Sequence, residues 1–452
     1  MDIQLSNIQI GKETLKNVSN STSLSFTEKF GQKMAFGYPK NFFQANQFLQ
    51  KVAGIWFPES DYNSVFRIMY LLYVLFFYGI CLTFFYGTSI MLSESMKNLG
   101  TFATHLGILL TNINGLIKVF ILAVRWKKIR KVMGALQNES YRYVSLGESD
   151  PGFLLTKEMK VNSVSSYLLL VMYGFTGISG NLATLIKLTT EIRGDDTFET
   201  TNKTCDDFLS FMYKAPFDTD TKSHCIIASI IVNFGMLAQS VIHATHDGFF
   251  IGLVICLKTQ FRIIGDVLKA IRERSLESIG LPRDYSILHD ESNPVLEEEL
   301  YGQLSHCTEH LKILLSVRDD IENIFTFVLL IQTLASLLIF ASCLYVASAI
   351  SMTSADFYAQ IDFFFGVFVQ FSFMCWFGSE ISDASEKINL SLYESDWLSC
   401  SPRFRKSMIF TMIRMQRSLY FSIGKFSPLD LTTLVMVCRG SFSYYMLFKS
   451  VQ

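Results

Sequence analysis

His243, His246 and Asp247 fall within five positions of one another, and His306 and His310 lie one helical turn apart. These side chains hold metals, but neither set supplies the three or four convergent ligands that zinc wants. An acyltransferase would need His and Asp paired at one membrane face, and His243 to Asp247 is the one candidate for it. Asp247 reads better as the partner of a basic neighbour. Lys118, beside Asn112 and Asn114 in an apolar run, is a costly charge at membrane depth, and the quieter reading has it snorkel to the inner interface. Near the end of the chain, Thr432, Met436, Gly440, Ser443, Leu447 and Val451 recur at spacings of three and four. Repeated around a symmetry axis, such a stripe would line a narrow water path closed by apolar rings at Leu447 and Val451. The same stripe also suits a helix packed inside a bundle, its hydroxyls bonded to neighbouring backbone. Arg439 would repel cations on a pore wall, so the spacing predicts that it lies off the stripe.

The elements that position these residues are seven apolar stretches: Phe66 to Leu92, Phe102 to Val124, Ser166 to Leu188, Ile226 to Leu257, Ile324 to Ile350, Ile361 to Ile381 and Leu429 to Phe448. Each meets the roughly 20 residues that a helix needs to cross a bilayer. The composition agrees, with 50% hydrophobic and 14% aromatic residues, 41 of them Phe, and a net charge of -1. Soluble domains and nucleic-acid binders seldom look like this. Nine cysteines without a CxxC pair suggest neither a zinc ribbon nor a redox motif, and no cofactor is implied.

Charge sets an orientation. Arg125, Lys127, Lys128, Arg130 and Lys131 follow the second stretch, and Arg403, Arg405, Lys406, Arg414 and Arg417 follow the sixth, so both segments should be cytoplasmic. The loop from Thr189 to Ser223 carries Glu191, Asp195, Asp196, Glu199, Asp206, Asp207, Asp218 and Asp220 against four basic residues and should face outside. An odd number of crossings then puts the amino terminus inside and the carboxyl terminus outside. A G-protein-coupled receptor has the reverse arrangement, and Asp-Arg-Tyr is missing after the third stretch. Within the outer loop, Cys205 and Cys225 can close a disulfide or remain free thiols. Asn202, in a sequon with Thr204, should accept a glycan there, whereas the sequons at Asn17 and Asn20 should stay bare. Glycosidase treatment should therefore sharpen the wild-type band, and Asn202→Gln should abolish the shift. A glycan on Asn17 or Asn20 would reverse the orientation.

The expected organisation is an all-α integral membrane protein of seven transmembrane helices. Residues 1–40 form a disordered tail, 41–65 an interfacial amphipathic helix with Trp56 at headgroup level, and 66–257 the first four helices. Residues 258–323 hold cytoplasmic helical extensions, 324–381 the fifth and sixth helices, 382–428 further cytoplasmic helices and 429–452 the last helix. The extensions should pack into one cytoplasmic anchor able to join subunits. No internal repeat is visible, which disfavours an inverted-repeat transporter.

The carboxy-terminal 60 residues carry Tyr393, Ser395 and Trp397, the basic run Arg403, Arg405 and Lys406, the group Gly424, Lys425, Phe426, Pro428 and Leu429, and the stretch CRGSFSYYML from Cys438 to Leu447. Upstream stand Gly54, Trp56 and Pro58, and Cys307 with His310 and Leu311. Taken together these resemble the insect odorant receptor family, whose inverted seven-helix topology agrees with the charges. The resemblance implies a subunit of an odorant-gated, nonselective cation channel in the plasma membrane of olfactory sensory neurons. It implies a tetramer, a cytoplasmic anchor and a central pore of seventh helices. Leu447 matches the family's apolar gate, with Ser450 and Val451 at its outer mouth. Its second cytoplasmic loop is shorter than the co-receptor's and its terminus reads YYMLFKSVQ, which implies a ligand-tuning subunit paired with the olfactory co-receptor in a heterotetramer. A gustatory receptor of the same superfamily is the nearer alternative, which Tyr393 to Trp397 disfavour.

In that family the odorant lies among the outer halves of the second, third, fourth and sixth helices. The matching positions are Phe102, His105, Leu106 and Leu109; Tyr173, Thr176, Gly177 and Gly180; Ile227, Ile231 and Phe234; and Phe364, Phe365 and Phe368. Aromatic walls suit a small volatile molecule, with His105 and Thr176 as polar handles.

Overall fold

A computed structural model describes residues 37–56, 63–97, 99–147, 149–191, 205, 213–219 and 221–450. Most of the expected tail, Pro58, the centre of the acidic loop, Asn202 and Val451 lie outside the described residues, as do the surroundings of Gly180. Eleven α-helices are named within them: α1 (Gln44–Val52), α2 (Ser64–Glu94), α3 (Leu99–Val124), α4 (Trp126–Leu136), α5 (Pro151–Glu191), α6 (Lys222–Lys269), α7 (Ile271–Ser278), α8 (Pro294–Ala349), α9 (Ala355–Tyr393), α10 (Pro402–Met415) and α11 (Leu431–Ser450). Six of them, α2, α3, α5, α6, α8 and α9, are long and apolar enough to cross a membrane. The seventh, α11, is 20 residues long but too polar to be counted with them on composition.

The starts of these helices follow from ordinary capping chemistry. Asn293 caps α8 by accepting from the Leu296 amide, and Pro294 takes the first turn, where its missing N–H costs nothing. Ser401 and Pro402 repeat the device at α10. At the end of α1 the chain reverses through Gly54, whose φ of +71° suits a residue without Cβ. The last carbonyls of that helix cannot all find an amide partner, although Lys51 accepts from the Gly54 N–H at 3.2 Å. Three phenols from α2 supply them: Tyr70, Tyr73 and Tyr78 donate to the carbonyls of Lys51, Val52 and Ala53 at 3.0, 2.5 and 2.9 Å. The short helix is thereby hooked to the first membrane helix.

α6 is the central post. It packs along α5 and α9 and also touches α1, α2, α3 and α8, while α3 and α11 lie along α8. Below the membrane-length portions, α6 and α8 run on into a packed base with α4, α7, α9 and α10. Phe261, Ile264, Leu268, Leu304, Leu311, Leu314, Ile388 and Phe404 are buried there. Arg272 ties the base together by bonding Asp290 at 2.6 Å and Asp396 at 3.2 Å. Tyr143 lies in the same base, and burial raises its phenol well above the usual tyrosine range.

The sixth membrane helix, Ala355–Tyr393, runs past both ends of the expected Ile361 to Ile381, and the start of the third differs as well. The third membrane helix starts at Pro151, ahead of the expected Ser166. Lys157, Glu158 and Lys160 interrupt the apolar run and disguise the extension. Glu158 is in fact buried, held by Lys258 of α6 at 3.2 Å, and Lys258 also bonds Glu380 of α9 at 2.9 Å.

Candidate functional site

A cavity of about 100 Å³ lies inside the bundle. Helix α3 lends Ile108, Thr111 and Asn112 to its wall, α5 lends Tyr173, Thr176, Gly177 and Ser179, and α6 lends Met236, Gln239, Ser240 and His243. Asp362, Phe363, Gly366, Val367 and Gln370 of α9 close the far side, and Phe84 of α2 completes it. Small residues let these helices approach. A Cβ at Gly177 would stand 3.3 Å from Ser240 Oγ, and one at Gly366 would stand 3.1 Å from Thr176 Oγ1.

Charges sit beside the cavity. Lys118 of α3 pairs with Asp247 of α6 at 2.7 Å, and both are fully buried. The ammonium also donates to His243 Nδ1 at 3.0 Å, which leaves the ring proton on Nε2 to meet the Thr111 carbonyl at 3.2 Å. Asp247 further accepts from Gln370 of α9 at 2.5 Å and from the Tyr173 hydroxyl of α5 at 3.4 Å, and it lies 2.9 Å from His246 Nδ1. One carboxylate thus gathers four helices. The snorkelling expectation for Lys118 is corrected: fully buried with Asp247 and His243 beside it, the ammonium is compensated where it stands. Among the described residues no group of three or more His, Cys, Asp or Glu side chains converges as a metal site.

Of the expected ligand contacts, Tyr173, Thr176 and Gly177 line the cavity, and the remaining described positions do not. His105 is buried, and Phe102, Leu106 and Leu109 are half-buried, all off the wall. On α3 the wall is formed by Ile108, Thr111 and Asn112 instead. Ile227 and Phe234 of α6 point outward, 47% and 54% exposed, and Ile231 packs against the cluster around Phe84 and Tyr213. The cavity meets α6 deeper, from Met236 to His243. On α9, Phe365 is 55% exposed, while Phe364 and Phe368 pack on Phe340 with ring centroids 5.1 and 6.1 Å away. The wall is the neighbouring stripe Asp362, Gly366 and Gln370, whose spacing of four was the overlooked signal.

Helix α11 buries Thr433, Val437 and Ser441, and the Ser441 hydroxyl donates to the Leu337 carbonyl of α8 at 3.0 Å. Its opposite face, with Thr432, Met436, Ser443, Leu447 and Ser450, is exposed. Arg439 is exposed on that face too, without an ion pair among the described residues, so the expectation that it lies off the exposed stripe is corrected. Buried Thr433, Val437 and Ser441 already occupy the packed side and leave the guanidinium outward. Cys205 and Cys225 are joined in a disulfide with Cα atoms 5.7 Å apart.

Three comparisons bear on this arrangement. A sequence model described as 7tm Odorant receptor matches residues 98–442. Odorant receptor 2a of Drosophila melanogaster is 23% identical over 52% of this chain and 58% of its own length. Odorant receptor 82a of the same fly is 23% identical over 55% and 59%. The chain thus spans somewhat under two thirds of these curated relatives. The solved structure of the insect olfactory receptor OR5 from Machilis hrabei in complex with eugenol superposes with a TM-score of 0.72, covering 91% of this chain and 98% of that one at 14% identity. The helical bundle is therefore that of an insect olfactory receptor, and the chain belongs to the 7tm odorant receptor family of multi-pass membrane receptors.

Proposed function

We propose that this chain is a ligand-tuning subunit of an odorant-gated, nonselective cation channel. A small volatile molecule enters the cavity between α3, α5, α6 and α9. Its binding shifts the bundle, and a central pore lined by α11 opens to monovalent and divalent cations. The partner is an olfactory co-receptor subunit in a heterotetramer at the plasma membrane of olfactory sensory neurons. The amino terminus and helical anchor lie in the cytoplasm, the carboxyl terminus and glycosylated Asn202 outside.

The observation that carries this reading is the face of α11. That face also exposes Arg439, and a guanidinium in hydrocarbon is costlier than the Ser443 and Ser450 hydroxyls, which already donate to the Arg439 and Leu447 carbonyls of their own helix, so the face belongs against water or another subunit. Leu447, 54% exposed at its outer end, then sits where an apolar ring can exclude water. The cavity supports the other half, lying between membrane helices, largely apolar and of a size for a small volatile molecule. The neighbour from Machilis hrabei was solved with eugenol, itself a small aromatic molecule.

Whole-cell current is the test. Cells expressing this chain with the co-receptor should pass a reversible inward current to some members of a volatile panel that the co-receptor alone ignores. Currents that vanish when G proteins are blocked would point to a coupled receptor and overturn the reading.

A further inference from the structure

Nearly every polar group on the cavity wall is already committed to the protein. The hydroxyls of Thr111, Thr176 and Ser240 donate to backbone carbonyls, Ser179 donates to Asp362, and Tyr173 donates to Asp247. Gln370 donates to Asp247, and Asn112 donates to Thr88 Oγ1. Gln239 is the exception. Its side chain is 5% exposed, it lines the cavity, and neither Nε2 nor Oε1 has a hydrogen-bond partner. A buried amide left in that state costs free energy, and natural structures retain few of them. Its place is prepared by Gly115 of α3, since a Cβ there would overlap Oε1.

We propose that Gln239 is the polar anchor of the cavity and that the ligands this chain selects are small alcohols or phenols. The inference rests on the cavity being the odorant site and adds the class of molecule. A hydroxyl can donate to Oε1 and accept from Nε2, which answers both vacancies of the amide. A carbonyl answers only Nε2, and a hydrocarbon answers neither. Rotation about the last side-chain bond, a broad and soft torsion, turns either amide atom toward the cavity. The rest of the wall favours the same class, because the hydroxyl hydrogens of Thr111, Thr176 and Ser240 are directed into the protein and leave acceptors toward the cavity. The volume of about 100 Å³ suits a molecule on the scale of one ring. An engineered cavity of roughly 150 Å³ holds benzene.

The test uses matched pairs of volatiles, phenol with benzene, benzyl alcohol with toluene and 1-hexanol with hexane, applied to cells expressing the full chain with the co-receptor. In the wild type the alcohol of at least one pair should act at about 10-fold lower concentration than its hydrocarbon, the scale of one buried hydrogen bond. In Gln239→Leu that ratio should fall to about one. Gln239→Met, unbranched and of similar length, repeats the measurement should the leucine variant fail to reach the surface. A wild type without preference for the hydroxyl in any pair, or a variant that keeps the preference, overturns the assignment of Gln239. Gly177→Leu, which fills the cavity, separates the two levels of the argument. If it reaches the cell surface and abolishes every response while Gln239→Leu preserves the hydroxyl preference, the site stands and the anchor falls. If it leaves the responses intact, the cavity is not the odorant site.

Discussion

Asp247→Ala should keep the chain from reaching the cell surface. The substitution leaves the Lys118 ammonium, 0% exposed, beside His243 with no counter-charge, and it removes an acceptor from Gln370 and Tyr173. Removing one partner of a buried ion pair costs about 3–5 kcal/mol, a large share of a typical fold's stability. Surface biotinylation of the full chain reads the outcome. The double variant Lys118→Met with Asp247→Leu should recover part of the signal, because no buried charge is left unpaired, while Gln370 and Tyr173 still lack their acceptor. Surface levels near wild type for Asp247→Ala alone would mean that this carboxylate does not hold the lysine.

Leu447→Ala should raise the resting current several-fold before any odorant is added. An apolar constriction closes by expelling water, and trimming each side chain of the ring to a methyl group widens the path and weakens the dewetting. The exposed face of α11 makes the effect specific, since Leu447 packs little against its own protomer. Ser441→Ala on the packed face should instead loosen the contact with Leu337 and lower expression, leaving the resting current of surviving channels alone. If resting conductance and ligand responses of Leu447→Ala match the wild type, α11 does not gate.

The membrane helices were legible because long apolar runs leave few other solutions, and the continuation of α6 and α8 beyond the membrane was written in the spacing of Ile264, Leu268, Leu304 and Leu311. The early start of α5 was hidden by Glu158, a carboxylate whose burial depends on Lys258, 100 residues away. Such a pairing has no local signature. On three helices the cavity wall differs from the positions the resemblance implies, for a related reason. Phenylalanine was weighed as the signal for an apolar pocket, yet in a bundle bathed in lipid Phe234 and Phe365 gain as much by facing outward. Glycine, serine and amide side chains mark the inner face better, because lipid cannot accommodate their polar atoms and neighbouring helices need their small size. Lys118 and Asp247 could each be flagged as anomalous in the sequence, but only the folded bundle pairs them.

The lysine and its carboxylate are 129 residues apart, so the ribosome completes one long before the other. At about 5–20 residues per second, the second membrane segment waits on the order of ten seconds in the translocon with an unneutralised ammonium. Completion of the bundle is thus tied to the arrival of its fourth hydrophobic segment, the one that carries Asp247.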